Sequence, residues 1–336
     1  MTPADLLGGA ILVALVCYAV FAGADFGGGI WDLLASGRRK REQRALVEHA
    51  IGPIWEANHV WLILVIVVLF TGFPTAFAAV STTLFVPLTL LLIGIVLRGA
   101  AFTFRAYSGR DPVQSRWGLV FSGSSVVAPL LLGAIVGAIA SGRLRVSADG
   151  MPLSPPGAWL GAFPAAVGIF ACALFAFLAA VYLTVEAQGE LQEDFRRRAL
   201  LAGVAVFLAA MAAAVVSWRE APLVFAGLTA RGWSLPLHLG TAAAGGASFA
   251  GLLTRRYRLA RLAAAAQAGL IVLGWGASQY PYLVVPDVTI SSASAPRQTQ
   301  VLLLAALGVG ALTLLPSLWL LFRVFKGRRP AGPAPG

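Results

Sequence analysis

The sequence predicts an all-α polytopic membrane protein, and three observations carry that prediction. Hydrophobic residues make up 59% of the 336 and charged residues 12%, about half the charged share of an ordinary soluble domain. Apolar runs of about 20 residues, the length that crosses a bilayer as a helix, recur along the whole chain, and the mean hydropathy is +0.83. The 25 Lys and Arg fall in the gaps between those runs instead of forming one face. A net charge of +11 on a single face would suggest nucleic acid; spread this way it is a topology signal, and no nucleic-acid partner is expected.

About nine transmembrane helices follow, at 6–34, 53–72, 76–105, 117–140, 159–186, 199–218, 235–253, 259–280 and 300–324. Ahead of the first there is no basic segment with a cleavage site, so it is expected to be a retained span and not a secretory signal. The second and third are joined tightly around Thr71–Pro74. With loops assigned alternately to two sides, only Arg143, Arg145, Arg219, Arg231 and Arg297 fall on one of them, and every other Lys and Arg falls on its opposite. The positive-inside rule then places the N-terminus outside and the C-terminus in the cytoplasm of a bacterial cell membrane. The outer connectors, about 141–158, 219–234 and 281–299, are rich in Pro, Gly and Ser. No loop has room for a soluble domain: residues 1–325 form one helical membrane domain, and 326–336 a disordered cytoplasmic tail.

Ionisable residues are costly at membrane depth and mark functional sites by default. Asp25 lies within the first span, in GADFGGGIWDLL, and Glu56 one turn into the second, in HAIGPIWEANHVW. His59 follows Glu56 by three residues, so the two can meet on one helical face. A carboxyl beside an imidazole in low dielectric can pass protons near neutral pH. The alternative is an interfacial cluster of polar residues and Trp55 and Trp61 at a span end. Asn58 would orient either group. Asp25 reads as a proton relay, a buried-pair member, or a structural hydrogen-bonding group, with Gly27, Gly28 and Gly29 allowing a close neighbour. Asp32, seven residues on, reads as solvated near the cytoplasmic end, as does His49. Arg98 closes the third span with Arg105 seven residues later on the same face; it either neutralises Asp25 or Glu56 or snorkels to lipid headgroups. Glu186 reads as an ordinary helix end, His238 as a satisfied core histidine, and Cys17 and Cys172 as packing residues. Three His and three Met without a matched pair across spans assign no haem ligation to this chain, and no metal ligand set or Ser-His-Asp arrangement is present.

The blocks GADFGGG, GPIWEANHVWL with the following FTGFP, and LFVPLTLLLIGIVLRGAAFTFR, in that order and spacing, resemble subunit II of the cytochrome bd-type quinol oxidases. The resemblance implies two four-helix bundles plus one peripheral helix. It implies a haem-bearing partner, subunit I, which holds haems b and d (or b only) and oxidises quinol; it also allows a small single-span subunit and a structural quinone. Subunit II then stabilises its partner and supplies a route for cytoplasmic protons. By that resemblance Asp25 is the first-span acid, Glu56 stands where the family has Asp in W-D-G-N, Asn58, Trp61 and Arg98 match directly, and Trp61 sits where some members line an oxygen path. Ala22, Ala57, His59 and Thr103 depart from the pattern; Thr103 stands where an acid is usual, so a path would run through Asp25 and Glu56 with His59, Thr103 and water bridging.

The expectation is therefore the non-haem-ligating subunit of an oxidase that reduces oxygen to water. Asp25, Glu56, His59 and Thr103 form its proton path, and Asn58 and Arg98 support it. A proton-coupled secondary transporter or channel is the alternative, although no internal repeat is evident.

Overall fold

The computed structural model describes residues 2–51, 58–107, 111–147, 150–155 and 157–327. Helix α1 (Pro3–Leu33) opens on a reciprocal cap. Thr2 Oγ1 accepts from the Asp5 backbone N–H at 3.2 Å, and Asp5 Oδ2 accepts from the Thr2 N–H at 2.8 Å. Pro3 occupies the first turn, where its missing N–H costs nothing. After a turn at Gly37, the basic loop folds as a short helix, α2 (Lys40–Ile51), which buries Gln43, Val47 and Ile51.

The described part of the second span is α3 (Val60–Gly72). It meets α4 (Pro74–Thr83) at a bend of 118° around Phe73, where Gly72 and Pro74 end one helix and start the next. The predicted third span is divided at Leu84 into α4 and α5 (Phe85–Tyr107). Pro87 explains the break, because its ring lacks an N–H for the Thr83 carbonyl and crowds it.

Then follow α6 (Asp111–Ala140), α7 (Ala162–Glu186), α8 (Gly189–Glu220), a short α9 (Pro222–Thr229), α10 (Ser234–Leu253) and α11 (Tyr257–Gln279). Beyond β1 (Tyr282–Val284), β2 (Val288–Thr289) and α12 (Ile290–Ala293), α13 (Arg297–Gly327) completes the described chain. Each predicted span has a helix at its position. Seven of the described helices are long and apolar enough to cross a bilayer unaided, and the bent pair α3–α4 makes up to eight. The remaining position, α10, is 20 residues long but rich in Gly and Ala.

Helices α1, α3, α5 and α6 form one group and α7, α8, α10 and α11 a second, joined where α6 and α1 both pack along α7. Helix α13 lies outside both, with none of its apolar stretch buried. In lipid, where backbone groups must be satisfied within the chain, such long helices are the expected solution, and small residues at their contacts let them approach. The connectors about 141–158 and 281–299 are folded, not plain links. The β1–β2 ribbon pairs Tyr282 with Thr289, and Asp287 accepts from Arg145 Nε at 2.7 Å, Arg145 Nη2 at 3.1 Å and the Val146 N–H at 2.9 Å. The tail beyond residue 327 lies outside the described residues.

Candidate proton-handling site

The GGG run of α1 decides where the site sits. A Cβ on Gly27 would overlap the Phe175 carbonyl of α7 and lie 2.7 Å from Ala179 Cβ; one on Gly29 would overlap the Ser125 side chain of α6. So α1 touches the α7 backbone on one side and α6 on another, and Trp31 Nε1 donates to the Ala176 carbonyl at 2.7 Å across the first of these contacts. The acid two residues before this close-packed stretch is thereby carried inside, and Asp25 is 5% exposed.

Around Asp25 the structure gathers several of the predicted residues. Asn58 Nδ2 donates to Asp25 Oδ2. Arg98, on α5, is 2% exposed; its Nη2 donates to the Asp25 backbone carbonyl at 2.9 Å and its Nε to Ser125 Oγ at 3.1 Å. Its guanidinium also lies over the rings of Phe26 and Phe121, 4.9 and 5.2 Å from their centroids. Arg98 thus does not snorkel. It reaches inward and bonds the Asp25 backbone, while Asn58 bonds the carboxylate. His59 sits beside Tyr18, with Nδ1 3.5 Å from the phenol oxygen, and packs against Phe26 with ring centroids 6.0 Å apart. Trp61 is half-buried against the same core.

Thr103 is not brought to this cluster. It is exposed on α5 and donates to the Gly99 carbonyl of its own helix at 3.1 Å, a common use of a helical threonine. Glu56 and Trp55 lie outside the described residues.

A second polar cluster lies two turns along. Asp32 is fully buried, not solvated: it accepts from Arg105 Nη1 at 2.9 Å and from Ser122 Oγ at 2.7 Å, and Arg44 Nε of α2 is 3.8 Å away. Arg105 Nη2 lies 3.6 Å from Glu48. The seven-residue spacing of Asp25 and Asp32 on α1 is repeated by Arg98 and Arg105 on α5, so two helices running the same way present both arginines to both acids in register. That repeated spacing is the signal by which the second cluster could have been found; nothing in the sequence marked Tyr18, Ser122 or Ser125.

The other candidates are peripheral. His49 is exposed on α2, and Glu186 faces Arg261 at 3.8 Å at the end of α7. His238 is exposed, not in the core, although satisfied by the Leu228 carbonyl at 2.8 Å. Among the described residues no group of three or more His, Cys, Asp or Glu is placed to hold a metal ion.

Comparison with known proteins agrees with this architecture. The family model of cytochrome bd terminal oxidase subunit II matches residues 4–325. A protein of Bacillus subtilis (strain 168) named putative cytochrome bd menaquinol oxidase subunit II is 25% identical over 321 residues, 92% of this chain and 91% of that protein. The cytochrome bd ubiquinol oxidase subunit 2 of the same strain is 28% identical over 209 residues, 62% of this chain and 61% of that protein. The solved structure of bd oxidase from Geobacillus thermodenitrificans shares the fold, with a TM-score of 0.82 at 21% identity, covering 98% of this chain and 100% of that one. A multi-pass helical chain with a buried acid–arginine site and a match along almost its whole length is therefore a member of the cytochrome bd terminal oxidase subunit II family.

Proposed function

We propose that this chain is the non-haem-ligating subunit of a quinol:oxygen oxidoreductase that reduces oxygen to water, and that it carries protons from the cytoplasm toward its haem-bearing partner. The N-terminus lies outside and the C-terminus inside, so protons enter from the side holding the basic clusters. Haems b and d, or b only, belong to the partner and supply the oxygen chemistry, while quinol is the electron donor. The observation that carries the reading is the Asp25 cluster: a carboxylate within a membrane helix, kept there by an asparagine, with a buried arginine and a histidine–tyrosine pair beside it. Such a group is expensive unless it is used.

In this reading Asp25 and Glu56 hold and release the proton. His59 supplies the neighbouring exchangeable nitrogen, Asn58 orients the Asp25 carboxylate, and Arg98 keeps the site electrostatically tolerable. Thr103, on the exposed side of α5, serves only where the path leaves this chain toward the partner, and Trp61 remains an oxygen-path residue by resemblance. A small single-span subunit and a structural quinone complete the assembly in the same way.

The test is Asp25→Asn, which keeps the shape and the Asn58 bond but removes the titrating carboxyl. Quinol-driven oxygen consumption should fall by about tenfold or more, with the haem content of the purified complex unchanged; Glu56→Gln should behave alike. Full turnover in either variant would rule out that residue as a carrier.

A further inference from the structure

Where α1 ends and α8 begins, a recess of about 400 Å3 opens between the two helix groups. It is lined by Ser36, Gly37, Arg38, Arg39, Arg197 and Arg198, with Gln43 and Asp194. Four guanidinium groups share this space with one carboxylate, and that carboxylate is already engaged. Asp194 accepts from Arg39 at 2.8 and 2.7 Å and from Gln43 at 3.2 Å. Arg39 also pairs with Glu190, and Arg197 lies 3.5 Å from Glu193.

Two of the arginines make no close ion pair among the described residues, although Asp194 acts on Arg198 at longer range. Arg38 is exposed and makes no ion pair among the described residues. Arg198 donates only to neutral acceptors, Gln43 Oε1 at 2.7 Å and the Leu34 carbonyl at 3.5 Å, and its Nη1 is buried without an acceptor among the described residues. It cannot swing away to find one, because its guanidinium is held over the rings of Trp31 and Phe195, 5.3 Å from each centroid.

Exposed leucines adjoin these residues along the chain. Leu33 and Leu34 precede Ser36, and Leu201 lies one turn along α8 from Arg197; they are 40%, 53% and 71% exposed. Fixed positive charge adjoining exposed leucines is complementary to a phosphate and its acyl chains.

We infer that this recess binds the phosphate of an anionic phospholipid headgroup, with Arg38 and Arg198 as its principal cationic contacts. The lipid spans the gap between the end of α1 and the start of α8, and so fastens the first helix group to the second. Free phosphate shares the headgroup chemistry but makes no use of the leucines.

The experiment is a thermal-shift titration of the purified complex, this chain with its partner, after delipidation. The probes are dioctanoyl-phosphatidylglycerol, dioctanoyl-phosphatidylcholine and inorganic phosphate. The expected result is a saturable rise in melting temperature with phosphatidylglycerol alone. Half-saturation should shift about fivefold to higher concentration in Arg38→Gln, in proportion to the attraction of one basic residue at an anionic surface. Arg258→Gln, an equal change of charge at the same end of the bundle, should leave it in place. A matching rise with phosphatidylcholine overturns the proposal, and so does a full rise with phosphate alone. So too does an Arg38→Gln titration that coincides with wild type, or an Arg258→Gln titration displaced by as much as that of Arg38→Gln.

Discussion

Replacing Gly27 with alanine should separate α1 from α7 and loosen the site they build. The added Cβ would overlap the Phe175 carbonyl and lie 2.7 Å from Ala179 Cβ, where ordinary contact begins at 3.4 Å; the helix must retreat by at least the difference of 0.7 Å. Both neighbours are backbone or the first side-chain carbon of a helix, so neither can rotate away. Overpacking of this kind costs about 1–3 kcal/mol. The retreat also strains the 2.7 Å bond from Trp31 Nε1 to the Ala176 carbonyl, and a buried donor left without its acceptor adds about 1–3 kcal/mol. A total near 3 kcal/mol corresponds to a drop of roughly 6–12 °C in melting temperature, on the scale of mid-sized domains. Thermal denaturation of the purified complex, followed by light scattering and by its visible absorbance, measures this directly. Two internal controls sharpen it: Gly9 of α1 and Gly123 of α6 have nothing within 4 Å of a built Cβ, so their alanine variants should melt at or slightly above wild type, since alanine favours the helix by about 1 kcal/mol. A Gly27→Ala complex that melts with wild type would refute the close packing of α1 on α7 and, with it, the account of how Asp25 is carried inside.

Asp32→Asn should destabilise by about 3–5 kcal/mol, because it leaves Arg105 buried without its main counter-charge. Combining it with Arg105→Met should recover much of the loss; an unchanged melting temperature in the single variant would show that the pair is not buried as described. Beside the β1–β2 ribbon, Arg145 and then the Val146 N–H hold the Asp287 carboxyl below the usual carboxylate range. A lowered folded-state pKa means that this contact is fully present above the ordinary carboxylate pKa of about 4 and is lost as pH falls below it. Amide exchange near Val146, corrected for intrinsic rates, should therefore stay level from neutral pH down to about 5 and accelerate only below about 4. In Asp287→Asn the acceleration should be present at neutral pH, and a pH-independent wild type would count against the contact. Thr103→Ala should leave the melting temperature within about 0.5 kcal/mol of wild type, since its hydroxyl bonds only its own helix; a large loss would place it in a packed interior.

Much of this molecule is legible in the sequence. The helical spans follow from hydropathy because a membrane helix must be apolar along its own length, a property that each segment carries alone; seven or eight of the nine expected positions meet that test among the described residues. The site was half legible. Asp25, Asn58, His59 and Arg98 stand out as polar residues in apolar runs, and they do converge. Local reading failed where partners come from different helices. Asp32 looked solvated because it lies near a span end, and only the arrival of α2, α5 and α6 buries it under Arg44, Arg105 and Ser122. Thr103, expected in the path by resemblance, lies on an exposed side of the α5 helix, away from the Asp25 cluster.

The division has a physical origin. Composition, span lengths and the placement of basic residues determine that the chain is a helical membrane protein, and they set its expected orientation, because transfer into lipid sums over neighbours in sequence. Which carboxylate meets which arginine depends instead on how closely two helices can approach and at what rotation. That was decided by Gly27 against Phe175 and Gly29 against Ser125, contacts between residues more than 90 positions apart, and so by the tertiary structure alone.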